Sequence, residues 1–141
     1  MTLPAIAVQN RQRAIALDPA SLARFADRAL SLCAAEEGGG LTALEEVNVL
    51  LVSDRRMSDL HRRFMQIRGP TDVITFQHGE IFISVETARR QAANYGTSLE
   101  HELRLYLVHG LLHLQGLSDH EPSAKRRMQR AQEKIVARAS P

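Results

Sequence analysis

A chain of 141 residues is long enough to bury roughly two-thirds of its unfolded surface in one core without disulfide or metal staples. Hydrophobic residues at 44% and charged residues at 24% exclude a disordered, fibrous or disulfide-scaffold protein. A net charge of +2 with a pI of about 9.1 permits an acidic polymer as partner without demanding one.

The single cysteine, Cys33, lies in an apolar helical stretch, so no internal disulfide can form. It reads as a small buried hydrophobe rather than a nucleophile, in a protein of a reducing compartment. The first residues lack a basic region followed by an uninterrupted apolar core, so no secretory signal is expected. The longest stretch free of Asp, Glu, Lys and Arg, Leu105 to Ser118, has 14 residues and is too short to span a bilayer. These features lead us to expect a cytoplasmic protein with no membrane partner.

In chain order, Ala5 to Gln9 alternate weakly and suit a strand, and Asp18-Pro19 reads as an N-cap followed by proline at the first helical position. That helix is expected to run to about Glu37, where Gly38-Gly39-Gly40 ends it and supplies flexible backbone. Glu46 to Val52 has the β-branched and aliphatic character of a strand, and Ser53 or Asp54 can cap a helix through Phe64. Past the loop holding Gly69-Pro70, Val73 to Phe76 and Glu80 to Val85 predict a hairpin around His78-Gly79. Glu86 to Tyr95 is amphipathic and is closed by Gly96, and Thr97-x-x-Glu100 reads as a capping box for a helix through about Gln115. Gly116 ends it, and Glu121-Pro122 starts a last helix to about Arg138. One domain over residues 1–141 accommodates all of this, with no internal repeat.

Three of the six histidines fall within twelve residues, His109-Gly-Leu-Leu-His113-Leu-Gln-Gly-Leu-Ser-Asp-His120. On a helix, Leu103, Leu107, Leu111 and Leu114 share one face, and His109 and His113 lie roughly 160 to 200° round from Leu111. Imidazoles at i and i+4 can meet one ion, and a loop residue can supply the third ligand. Three nitrogens around zinc leave a fourth position open for hydrolytic chemistry. His109, His113 and His120 are therefore the expected metal ligands. Glycine at position 110, where zinc proteases place a glutamate, disfavours peptide hydrolysis by that route.

The segment resembles the signature of the YbeY family of bacterial endoribonucleases, H-G-x-L-H-L-x-G-Y-D-H, which His109 to Gly116 match fully. Upstream, Pro70-Thr71-Asp72-Val73-Ile74-Thr75-Phe76 is similar to the family's P-T-D-V-L-S-F, and Gly79-Glu80-Ile81-Phe82-Ile83-Ser84 to its G-D-I-x-I-S. With the helix order, the likeness covers residues 45 to 138. It implies an α/β fold: a small, mostly parallel sheet of four or five strands, packed with about five helices around a central metal-bearing helix. It also implies one zinc ion, and because imidazole ligands suit several transition metals, nickel stands as an alternative.

The activity it implies is that of a single-strand-specific endoribonuclease in ribosomal RNA maturation, including the 3′ end of the small-subunit RNA, and in ribosome quality control. RNA and the ribosome or its associated proteins are the implied partners. The chain departs from the signature twice. Leu117-Ser118-Asp119-His120 holds one residue more than the family's G-Y-D-H turn allows, and the arginine usual about six residues before the P-T-D-V proline gives way to Phe64-Met65. Arg62, Arg63 and Arg68 stand near enough to replace it, and Arg63 is taken as the phosphate-clamping group.

Asp119 is the second candidate catalytic residue, orienting a histidine or handling protons, with a turn-forming role as the plain alternative. Ser84 and Thr71 are candidates to line the cleft. Lys125, Arg126, Arg127, Arg130, Lys134 and Arg138 form a basic strip on the last helix that can track RNA backbone or merely be solvated. Three histidines alone do not specify phosphodiesters, so a hydrolase of another substrate and a non-catalytic ribosome-associated factor stand as alternatives.

Overall fold

The computed structural model describes residues 2–140. Its elements follow the order β1 (Ala5–Asn10), α1 (Pro19–Ala34), a short 3-10 helix (Leu41–Ala43), β2 (Glu46–Val52) and α2 (Asp54–Met65). Then come β3 (Val73–Phe76), β4 (Glu80–Ser84), α3 (Val85–Tyr95), α4 (Leu99–Gln115) and α5 (Pro122–Ala139). The expected α/β architecture is borne out, with five α-helices and a sheet of four strands ordered β1-β2-β4-β3. β1, β2 and β4 run parallel, and β3 pairs antiparallel to β4 at the edge.

Side-chain alternation along the strands sorts the core into two layers. Val47, Val49 and Leu51 of β2 and Ile81 and Ile83 of β4 face α1, α4 and α5. Leu50, Val52 and Phe82 face the other way, onto Met57 and Leu60 of α2. α2 is thus separated from α4 by the sheet. α4 is the central helix, touching α1, α3, α5, β3 and β4. Its Leu103, Leu107, Leu111, Leu112 and Leu114 are all buried, each contributing about 1.5 to 3 kcal/mol of apolar transfer.

The cap residues explain most helix starts. Asp18 accepts from the amides of Ala20 and Ser21, and Ser53 accepts from Arg56. α4 starts one residue later than its capping box suggests. Ser98 Oγ accepts from the His101 amide at 3.0 Å, whereas Thr97 donates to the buried Glu102 carboxylate at 2.9 Å and Glu100 is held by Ser21 and Arg104.

α1 ends at Ala34, short of Glu37, because Gln115 captures the chain there. Gln115 Nε2 donates to the carbonyls of Ala34 at 3.1 Å and Glu36 at 2.6 Å, and its Oε1 accepts from the Leu41 amide. The triple glycine that follows is packed rather than loose. A Cβ on Gly38 or Gly40 would stand 2.0 Å from the backbone oxygen of Gln115 or Leu114. The glycines therefore let one loop lie directly on the C-terminus of α4.

Candidate metal centre

α4 presents the site because helical spacing puts positions 109 and 113 on the face left free by its leucines. The rings of His109 and His113 meet edge to face with centroids 4.6 Å apart, and their Nε2 atoms face each other at 3.0 Å. Gly116 ends the helix with a positive φ of 117°, and the turn beyond it brings Asp119 back. Asp119 Oδ2 stands 3.7 Å from His109 Nε2 and 3.6 Å from His113 Nε2. Among the described residues, His109, His113 and Asp119 are the group whose donor atoms converge as a metal would require.

The donor set fits a divalent transition metal. Donors bound at about 2.0 to 2.2 Å around a tetrahedral ion stand roughly 3.3 to 3.6 Å apart. The three edges of 3.0, 3.6 and 3.7 Å bracket that span. His109 is already oriented, since Gln132 Oε1 of α5 can only accept and so fixes the proton on Nδ1, 2.9 Å away. Its Nε2 is left with a free lone pair toward the site. Burial pushes the His113 imidazole below its ordinary pKa, and His109 beside it adds to that, against the opposing pull of Asp119 and the Leu117 backbone. Ligation needs the neutral ring that this favours.

Beside the three donors is a cavity of about 220 Å³ between α4, α5 and the start of β3, with Asp72, Tyr106, His109, Asp119, Lys125 and Gln132 among its lining residues. A larger concavity of about 840 Å³ lies along α2 and the following loop, where Arg55, Arg56, Arg62 and Arg68 contribute. It carries no metal-binding group among the described residues, so the smaller cleft is the one that joins donors to a cation.

The structure brings His109, His113 and Asp119 together. His120, the neighbour of Asp119, is exposed, and its amide donates to Ser118 Oγ at 3.2 Å. Arg63 is exposed on α2, beyond the sheet, and does not line the cleft. Ser84 is fully buried and structural. It donates to Asp54 Oδ1 at 2.6 Å and accepts from the Thr87 amide as the cap of α3. Cys33 is fully buried, its thiol pushed up to about 12 by burial and then by Glu36, which suits a core residue.

Gln132 and Lys125 escaped sequence reasoning as individual site residues. Lys125 was legible only as part of the basic strip, and what marks the two together is a spacing of seven that puts both on the α5 face toward α4. Gly110, by contrast, points into the fold. A Cβ there would come within 2.7 Å of Ile81 Cγ2. The glutamate of a zinc protease has no room at that position.

A family profile described as Endoribonuclease YbeY matches residues 7–140. A curated relative of that name from Frankia alni is 37% identical over 114 residues, covering 67% of this chain and 63% of its own. Another from Symbiobacterium thermophilum is 37% identical over 131 residues, covering 81% of each. The chain thus spans slightly less than two thirds of the first relative and more of the second. The solution structure of a Thermotoga maritima protein matches with a TM-score of 0.66 at 25% identity, over 95% of this chain and 88% of that one.

Proposed function

The chain belongs to the YbeY endoribonuclease family, and on that premise we propose that it is a metal-dependent endoribonuclease acting on single-stranded RNA in ribosomal RNA maturation. The observation that carries this is the convergence of two imidazoles and a carboxylate beside a cleft that also holds Lys125. Zinc is the ion proposed, since two imidazoles and an oxygen donor suit it, as they suit nickel. Bound there, the ion supplies a Lewis acid that polarises a phosphoryl oxygen and activates water.

The protein's own groups do the rest. His109 and His113 hold the ion, and Gln132 keeps the His109 ring in the tautomer that ligation needs. Lys125, which lines the cleft, is the group proposed to hold the scissile phosphate, its ammonium offsetting charge that develops in transfer. Arg63, with Arg62 and Arg68, serves a longer stretch of strand that passes round the edge strand β3, binding backbone remote from the bond that breaks.

Among the described residues no helix is long and apolar enough to cross a membrane. The cytoplasm and the ribosome are proposed as the protein's setting on the strength of its family and its buried free thiol.

The test is cleavage of single-stranded RNA by the purified protein beside His113→Ala prepared identically, with metal content determined on both. Cleavage and metal lost together support the reading. Metal bound by the unaltered protein with no cleavage by it would replace the reading with a ribosome-associated role.

A further inference from the structure

We infer that the third protein ligand is the carboxylate of Asp119 and that His120 stays outside the coordination sphere, giving a two-histidine, one-aspartate centre. The inference deepens the metal-dependent reading above and rests on it. Asp119 Oδ2 is near-equidistant from the two Nε2 atoms, at 3.7 and 3.6 Å, and closes the triangle that they open at 3.0 Å. The Asp119 side chain is about one-third exposed and lines the cleft, while His120 is exposed and, among the described residues, its ring is not one of the converging donors.

Spacing agrees. The signature H-G-x-L-H-L-x-G-Y-D-H puts its third donor ten residues after the first, and ten residues after His109 is Asp119. Read without a gap, the turn is Leu117-Ser118-Asp119, and the apparent extra residue is His120 itself, displaced one place beyond the donor position.

The substitution changes the chemistry of the centre. A carboxylate brings a negative charge where an imidazole brings none, so the bound divalent ion keeps a net charge of about +1 instead of +2. An oxygen donor is also harder than an imidazole, which shifts preference toward ions that accept mixed nitrogen and oxygen ligation, manganese and cobalt among them. A three-protein-donor centre of this kind keeps open positions for substrate. The site is therefore expected to discriminate less sharply in favour of zinc than its Asp119→His variant.

Chelator competition with zinc, cobalt and manganese, run on the full chain and on Asp119→Ala, Asp119→Asn, Asp119→His, His120→Ala and His113→Ala, tests this. Circular dichroism and a thermal melt report whether each variant folds. Removing the Asp119 carboxylate should weaken zinc binding at least tenfold, and His120→Ala should leave it within twofold. Asp119→His should raise the zinc-to-manganese affinity ratio.

Zinc titration of the unaltered protein followed by the imidazole proton resonances needs no variant to fold. The His109 and His113 signals should move, and that of His120 should not. Zinc lost in His120→Ala but kept in Asp119→Asn, or a coordination shift at His120, overturns the assignment of Asp119 alone. Failure of the unaltered folded protein to bind any of the three ions, or unchanged binding in His113→Ala, overturns the metal reading itself.

Discussion

Gln132 Oε1 accepts a hydrogen bond from His109 Nδ1 at 2.9 Å, joining α5 to the one ring face of α4 that carries the site. Because the amide oxygen cannot donate, the contact dictates which ring nitrogen is free. Loss of such an outer partner typically costs 10- to 100-fold in metal affinity, so Gln132→Ala is expected to weaken zinc binding by about that factor. Gln132→Glu keeps an acceptor in place and should restore it. Chelator competition on the two variants checks this, and equal affinities for Gln132→Ala and the unaltered protein would show that the ring is held by something else.

Gly110 brings α4 onto β4. The Cβ of an alanine there would meet Ile81 Cγ2 at 2.7 Å, Cδ1 at 2.9 Å and Cγ1 at 3.1 Å, all within a fully buried side chain. Overpacking of this kind costs about 1 to 3 kcal/mol, against about 1 kcal/mol gained from helix propensity. Gly110→Ala should therefore be net destabilising by up to about 2 kcal/mol in urea denaturation. Made on an Ile81→Ala background, where the colliding atoms are gone, the same change should be neutral or stabilising. A cost that stays the same in both backgrounds would remove Ile81 as its cause.

Sequence alone revealed the elements whose signals are local. Asp18, Ser53 and Gly96 mark helix ends through hydrogen bonds or backbone angles that a residue makes with its own neighbours. His109 and His113 were legible for the same reason, since four residues on a helix means one face. Signals that depend on distant partners were not. Whether Thr97 or Ser98 caps α4 is decided by Glu102, which takes the threonine hydroxyl. Whether the triple glycine is loose or packed is decided by Gln115, whose carbonyl lies against it. The choice between Asp119 and His120 turns on the path of a short loop, and Lys125 and Gln132 enter the site only because α5 packs on α4.

Lys125 and Arg63 are expected to affect cleavage differently, because the sheet stands between α2 and α4. Lys125 lines the cleft and its replacement by alanine should lower kcat about tenfold or more with metal content unchanged. Arg63→Ala should leave kcat within about twofold and act on KM for longer RNA, with a shallower dependence of binding on salt by about one phosphate contact. Single-turnover cleavage and a salt titration separate the two effects. A kcat loss in Arg63→Ala as large as that in Lys125→Ala would return Arg63 to the reacting phosphate.

Asp54 gives the fold a predictable response to acid. Burial by itself would raise its carboxyl, but hydrogen bonds from Arg90, Ser84 and Thr87, with the Arg90 charge, outweigh burial and hold it below its ordinary 3.8. The unfolded chain therefore binds the proton first as pH falls, so stability rises with pH between the folded and unfolded values. The contribution of Asp54 is complete above about pH 4 to 5 and is lost as pH drops from there through the folded value. Asp54→Asn should consequently destabilise the protein at about pH 6 and matter progressively less as pH falls below the ordinary 3.8 toward the lowered folded value. Urea denaturation of both proteins across that range reads the difference directly. A gap that stays constant with pH would mean that Asp54 acts through the shape of its hydrogen bonds to Ser84 and Thr87 and not through its charge.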